Sequence, residues 1–231
     1  MGMNSHTANL LAALALLAWP LHAENTPDPH AILKTVRIAQ AAQNRMFNGA
    51  IRKGGKSLPF HLVYAGNTMR YEFSDPPQVL QVRLGDKDVR LEEIIDGKAE
   101  KVSPRHFAER VRDTDISYED LSLCFLYWPV ATVQGEDSEL LQKCWIVRVE
   151  PGPKGDTQYS KVDLWISKKG GALMRAEAYD AAAKISRKFK VISGQPMGEG
   201  LWTLKEMRIE SFGGHPQDHT PTYLDIEKPD N

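Results

Sequence analysis

Two periods of apolar positions divide this chain, one helical and one strand-like. The helical one comes first. Ile32, Val36, Ala39 and Met46 fall on or near one stripe with Leu33 beside it, while Lys34, Arg37, Gln40 and Asn44 point elsewhere. Asp28-Pro29 precedes it as an N-cap and first helical residue. The pattern predicts an amphipathic helix ending near Arg45 and closed by Asn48-Gly49. From Ala50 the period falls to two. Phe60/Leu62/Tyr64, Met69/Tyr71/Phe73, Leu80/Val82/Leu84 and Val89/Leu91 with Ile94-Ile95 read as strands, separated by Gly66-Asn67, Asp75-Pro76-Pro77, Gly85-Asp86 and Asp96-Gly97. Asp-Gly is a strong hairpin signal. Alternation resumes at Cys144, with Trp145/Val147/Val149, Val162/Leu164/Ile166, Met174/Ala176/Ala178, Phe189/Val191, Thr203 to Ile209 and a last strand over Thr222 to Glu227.

The meander is interrupted in the middle. Ser103-Pro104 predicts a short helix through Val111. Then comes R-D-T-D-I-S-Y-E-D-L-S-L-C-F-L-Y-W-P, Arg112 to Pro129. Asp113, Asp115, Glu119 and Asp120 crowd its first half, and an apolar run through Trp128 fills its second. Ser117 and Asp120 fit a capping box, with Tyr118, Glu119 and Asp120 in the first turn, where the helix dipole favours negative charge. Leu121, Cys124, Phe125 and Trp128 recur at 3, 4 and 7, which predicts one face of a helix of about three turns, stopped by Pro129. Pro129 to Leu141 reads as a polar link.

Several strands carry large apolar groups on both faces, as with Leu164 and Trp165 or Trp202 beside Met207. A sheet with one wet face does not do this throughout, so one side needs a cover, and the helices are the candidates. The expected class is α+β, mainly antiparallel β. Its architecture is a strongly curved, incomplete β-barrel with helices covering the concave face, as one domain over residues 24–231.

Composition narrows the function classes. The 231 residues carry 29 Lys+Arg against 30 Asp+Glu, a net charge of −1, so overall charge signals neither nucleic acid nor an anionic membrane surface. Leu10 to Trp19 is an apolar run too short to span a bilayer comfortably, and it fits the core of a signal peptide cleaved near Ala23. In an exported chain the pair Cys124 and Cys144 reads as a disulfide joining the acidic stretch to the next strand; two buried thiols are the alternative.

Catalytic motifs are missing. The chain has no G-x-S-x-G, H-E-x-x-H, C-x-x-C or P-loop. Lys53-Gly54-Gly55-Lys56 reads as a hairpin end. Asp113, Asp115 and Ser117 stand at calcium-loop positions 1, 3 and 5, but Tyr118 replaces the required Gly and Cys124 the required Glu. Cys124 as a nucleophile needs a base, and nothing links it to His61 or His106. His215, Asp218 and His219 lie in a Gly- and Pro-containing turn that reads as surface loop rather than metal site. A carboxylate pair for hydrolysis can be drawn from Asp113 to Asp120, but capping uses the same residues with fewer assumptions. No catalytic residue, metal or cofactor is expected.

D-T-D-I-S-Y-E-D-L followed by F-L-Y-W-P resembles the signature of the LolA-like outer-membrane lipoprotein-sorting proteins. Tyr159 to Ile166 resembles that family's strand after a Pro-containing loop, Glu177-Ala178-Tyr179-Asp180 its E-x-Y-D hairpin, and Gly200 to Met207 a later strand. The resemblance runs from about residue 28 to 226. It implies an incomplete barrel with a helical lid over an apolar cavity, and a periplasmic carrier that shelters the acyl chains of lipoproteins. Its expected partners are acylated lipoproteins or another lipid, an inner-membrane release complex and an outer-membrane acceptor. Leu33, Val36, Leu121, Phe125 and Trp128 are the expected cavity residues. The alternative reading is the same fold holding another lipid, or sensing lipid or lipoprotein and binding a regulatory partner.

Overall fold

A computed structural model describes residues 26–41, 44–153, 156–198, 201–213 and 220–228. The N-terminal apolar run and the loop holding His215, Asp218 and His219 lie outside the described residues. Helix α1 spans Pro29–Ala41. Six strands follow: β1 Met46–Lys53, β2 Lys56–Ala65, β3 Thr68–Phe73, β4 Gln78–Leu84, β5 Val89–Ile95 and β6 Lys98–Lys101. A 3-10 turn (Pro104–His106), helix α2 (Tyr118–Ser122) and a second 3-10 turn (Cys124–Tyr127) make up the interruption. Seven more strands complete the chain: β7 Val130–Glu139, β8 Gln142–Glu150, β9 Lys161–Ser167, β10 Leu173–Tyr179, β11 Ile185–Gly198, β12 Leu201–Ser211 and β13 Thr222–Ile226.

All thirteen strands form one antiparallel sheet in the order β6-β5-β4-β3-β2-β1-β13-β12-β11-β10-β9-β8-β7. The last strand, β13, pairs with both β1 and β12 and so joins the two meanders. The outermost strands, β6 and β7, are neighbours in the chain, so residues 102–129 must run from one edge of the sheet to the other. Laid flat, strands ~4.8 Å apart would put those edges roughly 58 Å from each other. Yet α2 packs on β5, and the 3-10 turn after it touches both β5 and β8. The sheet is therefore curved without closing, with its two outer regions brought to the same short segment.

Two apolar clusters fill the interior. One is built on β1 to β5, with Phe47, Phe60, Leu62, Leu80 and Leu91, and includes Val111, Ile116 and Leu121 of the crossing segment. The other joins Leu33 and Val36 of α1 and Phe125 and Leu126 of the 3-10 turn to Val147, Leu164, Ile166 and Ala176.

The structure corrects several expectations. The helix stops at Ala41, and Asn48-Gly49 lies inside β1, because pairing with β2 buries Phe47 and Ile51, which a longer helix would have left outside the sheet. The segment after Ser103 makes only one 3-10 turn, and Ser103 forms no side-chain cap. Pro129 to Leu141 is not a link: it holds edge strand β7, whose alternation of Ala131 and Val133 with polar residues is masked by Gly135 at a bulge. Cys124 and Cys144 are both free. Cys144 alternates with Val147 and Val149, which face the Phe125 cluster, so it lies on the opposite face of the sheet from Cys124.

Gly49 is required by contact. A β-carbon there would lie 2.6 Å from the Phe60 ring and 2.7 Å from the Asp225 carbonyl oxygen. Gly49→Ala is expected to destabilise the fold by about 1–3 kcal/mol, since backbone on one side cannot retreat. Denaturant unfolding of the variant measures this.

Candidate functional site

The crossing segment is assembled from its acidic half. Arg112 and Asp113 take positive φ angles, 50° and 59°, and turn the chain back so that Val111 N–H donates to Ile116 O at 2.7 Å. The Arg112 guanidinium secures this reversal to the sheet, donating to Asp75 O at 2.8 Å, to Pro76 O and to Gln78 Oε1 at 3.0 Å, and lying over the Phe73 ring. Asp113 itself is exposed.

The other three carboxylates are buried, and each reaches a different part of the sheet. Asp115 accepts from Lys53 Nζ at 2.7 Å and from the Thr222 hydroxyl at 2.8 Å, which ties the segment to β1 and to the start of β13. Its N–H donates back to the same hydroxyl at 3.2 Å. Asp120 closes the expected capping box with Ser117, caps α2 and accepts from the Tyr159 hydroxyl at 2.6 Å. The buried Arg187 of β11 sits 3.6 Å from it. Glu119 accepts from the Thr157 hydroxyl and from Gln158 N–H at 3.1 Å, fixing the loop ahead of β9. Gln158 also donates to Ser117 Oγ at 2.9 Å. Tyr118 is half-buried over the β4–β5 side, its hydroxyl 3.4 Å from Gln78 Nε2. Burial pushes the carboxyls of Glu119 and Asp120 above the usual range; Arg187 and the hydrogen bonds only partly offset it.

The apolar half differs from its expected form. Leu123 takes a positive φ of 52° and ends α2 after Ser122, so no continuous three-turn helix exists. The reason is the sheet beneath: α2 lies on β5 and the 3-10 turn reaches β8, and the break lets one short segment pack on both. It also divides the expected cavity residues. Leu121 belongs to the β1–β5 cluster, whereas Leu33, Val36 and Phe125 share the other, with Trp128 half-buried against it and edge-on to Phe125. Arg37 of α1 donates to Leu126 O at 2.7 Å and lies over the Tyr127 ring, fastening α1 to the 3-10 turn.

This arrangement offers little to a chemical step. Asp115 is occupied by Lys53 and Thr222, and Ser117 by Asp120 and Gln158, so the three calcium-loop positions do not converge on one point. Among the described residues no group of three or more His, Cys, Asp or Glu side chains is placed to hold a metal ion. Burial and the neighbouring Glu119 push the Cys124 thiol up to about 12, far from a ready thiolate. His61 hydrogen-bonds Asn48 and His106 hydrogen-bonds Glu109, both at the surface.

Residues holding the segment from outside it were not recognised in the sequence: Lys53, Arg187, Thr222, Thr157 and Gln158. Tyr159 carried a signal, since it opens the strand motif. Lys53 sat in a hairpin end whose basic residue had no visible partner.

The fold was compared with known proteins. A LolA superfamily protein from Nitrosomonas europaea superposes with a TM-score of 0.62 at 13% identity, covering 88% of this chain and 93% of that one. A Vibrio parahaemolyticus domain assigned to outer membrane lipoprotein sorting gives 0.65 at 14%, covering 87% and 90%. A DUF1329 family protein from Desulfovibrio piger gives 0.58 at 21%, covering 87% and 92%. A family model described as "Uncharacterized protein" matches residues 97–228, more than half of the chain. The chain belongs to the family of that model, and its fold is LolA-like. No curated protein matches it by sequence. In this LolA-like chain the recognised motifs meet in space: Tyr159 at the head of the strand motif donates to Asp120 of the signature.

Because the folded state holds protons on Glu119 and Asp120 more tightly than the unfolded chain does, their contribution is most favourable at acid pH. It fades as pH rises through their raised values. Thermal stability is expected to decline from this source as pH rises above the ordinary carboxyl range of about 4. Glu119→Gln should flatten that slope, as read from melting temperature against pH.

Proposed function

We propose that this LolA-like chain is a non-enzymatic periplasmic carrier that shelters the acyl chains of lipoproteins between its helical elements and its curved sheet. In this reading the helices cover the concave face, and the signal peptide is removed near Ala23. The observation that carries it is the contrast between two attachments. Residues 115–120 are held by the buried carboxyl groups of Asp115 and Asp120 to β1, β11 and β13. By comparison α1 rests on apolar contacts, with Arg37 as its polar tie to the 3-10 turn. The pinned loop is the fixed base; α1 and residues 123–128 are the movable cover.

Physical chemistry favours such a device. Each acyl CH₂ left in water costs about 0.8 kcal/mol, so a carrier needs a dry chamber that does not stay open when empty. Here Leu33, Val36 and Phe125 are buried in the interior. Cargo entering would replace their contacts with Val147 and Leu164, so opening exchanges one apolar contact for another. An inner-membrane complex would load it and an outer-membrane acceptor unload it.

The test is native mass spectrometry of protein purified gently from the periplasm, with lipid extraction of the same sample. A bound acylated peptide or lipoprotein is the expected result. A free lipid alone would move the reading to another apolar cargo or to lipid sensing. An empty protein that also takes up no fluorescent acyl probe would overturn it. Arg37→Ala, which releases α1 from the 3-10 turn, is expected to speed probe uptake several-fold in stopped-flow fluorescence. About 1 kcal/mol of lost holding energy corresponds to roughly fivefold.

A further inference from the structure

The hairpin between β7 and β8 is built against local preference. Its two central residues are Leu140 and Leu141, with φ of 48° and 63°. Both values are left-handed, the conformation that a two-residue hairpin normally gives to Asn-Gly. A bulky residue with positive φ is an outlier, and here there are two in succession. Burial repays little of this: Leu140 is still 46% exposed and Leu141 103%. The turn therefore holds two leucines at the surface on a strained backbone, and folding gains nothing from burying Leu141 and little from Leu140.

The surroundings select an occupant. Lys168 N–H donates to Lys143 O at 2.8 Å, so the Lys168-Lys169 turn lies beside the start of β8. Three lysines thus stand next to the leucine tip: Lys143, Lys168 and Lys169. The acids nearby are already engaged. Glu136 pairs with Lys168, Glu139 with Arg175 and Lys190, and Asp137 accepts from the Trp165 indole. Among the described residues Lys143 and Lys169 have no ion-pair partner. At the same end of the strands lies Trp202, the second residue of β12, 70% exposed. A protruding pair of leucines is far smaller than the ~800 Å² per partner of a stable dimer. Leucines to insert, lysines to meet phosphates and a tryptophan at the same end fit a lipid surface.

We propose that the Leu140-Leu141 hairpin is a membrane-docking tip that inserts into the headgroup region of an anionic bilayer. Net charge conceals it, because the lysines are local and the chain as a whole is balanced. The tip reads independently of cargo carriage, and its test uses no cargo.

The test is flotation of the cargo-free chain from Glu24 onward with vesicles of phosphatidylethanolamine and phosphatidylglycerol. Every described helix and strand is retained, and the apolar run at Leu10 to Trp19 is absent. The double variant L140N/L141G puts a favourable pair into the turn. Its melting temperature is expected to rise while its vesicle binding falls about tenfold or more. K143E/K169E, which leaves the turn untouched, is expected to weaken binding to these vesicles, by about fivefold for each lysine lost, with no change in melting temperature. Either of two results overturns the proposal: a parent chain that fails to float, or L140N/L141G floating as the parent does. Self-association of the parent that L140N/L141G abolishes, without vesicle binding, would assign the tip to a second copy instead. Bound acylated cargo in the native protein would not alter any of these flotation results, so carriage and docking fail separately.

Discussion

A crossing connection governs this structure. Residues 102–129 leave one outer strand of a thirteen-stranded sheet and enter the other. A flat sheet would hold those strands apart, and twist alone does not bring them together. The segment reaches β5 and β8 at once because the sheet is curved. Curvature, the two interior clusters and the position of α1 all follow from where this segment is held.

Its position is set by charge. Burying three carboxylates is unfavourable by several kcal/mol for each one left unpaired, so an acidic loop settles inside a protein only where partners wait for it. Asp115 finds Lys53 and Thr222, Asp120 finds Tyr159 and Arg187, and Glu119 finds Thr157 and Gln158. Apolar packing would tolerate small slides of the segment across the sheet; this set of directional contacts permits one seat. By contrast α1 rests on side-chain packing and the Arg37 contact to Leu126 O.

The stretch therefore divides its labour by chemistry. Its acidic half positions and its apolar half fills space, with the left-handed Leu123 as the joint. The same residues that suggest metal binding or hydrolysis when read as a string turn out to be paired inward, each with a separate strand or loop. The outer face follows its own rule. Glu139 and Glu177 are nearly covered there by Arg175, Lys188 and Lys190, so the charged ladder is internally balanced and leaves the hairpin tip as the conspicuous apolar feature beside it.

The sequence alone determined the antiparallel meanders, the Asp28-Pro29 helix start, the Ser117–Asp120 capping box and the LolA-like fold. Those features rest on contacts between near neighbours or on alternation along a single strand, and such contacts are visible in order. Only the tertiary structure decided the rest. Whether residues 46–49 close a helix or begin β1 depends on β2 burying Phe47. The break at Leu123 depends on the sheet surfaces on either side of it. The separation of Cys124 from Cys144 depends on which face of β8 each meets. The partners of Asp115 lie 62 and 107 residues away in the chain, and no local pattern encodes a pairing that exists only once the sheet has curved.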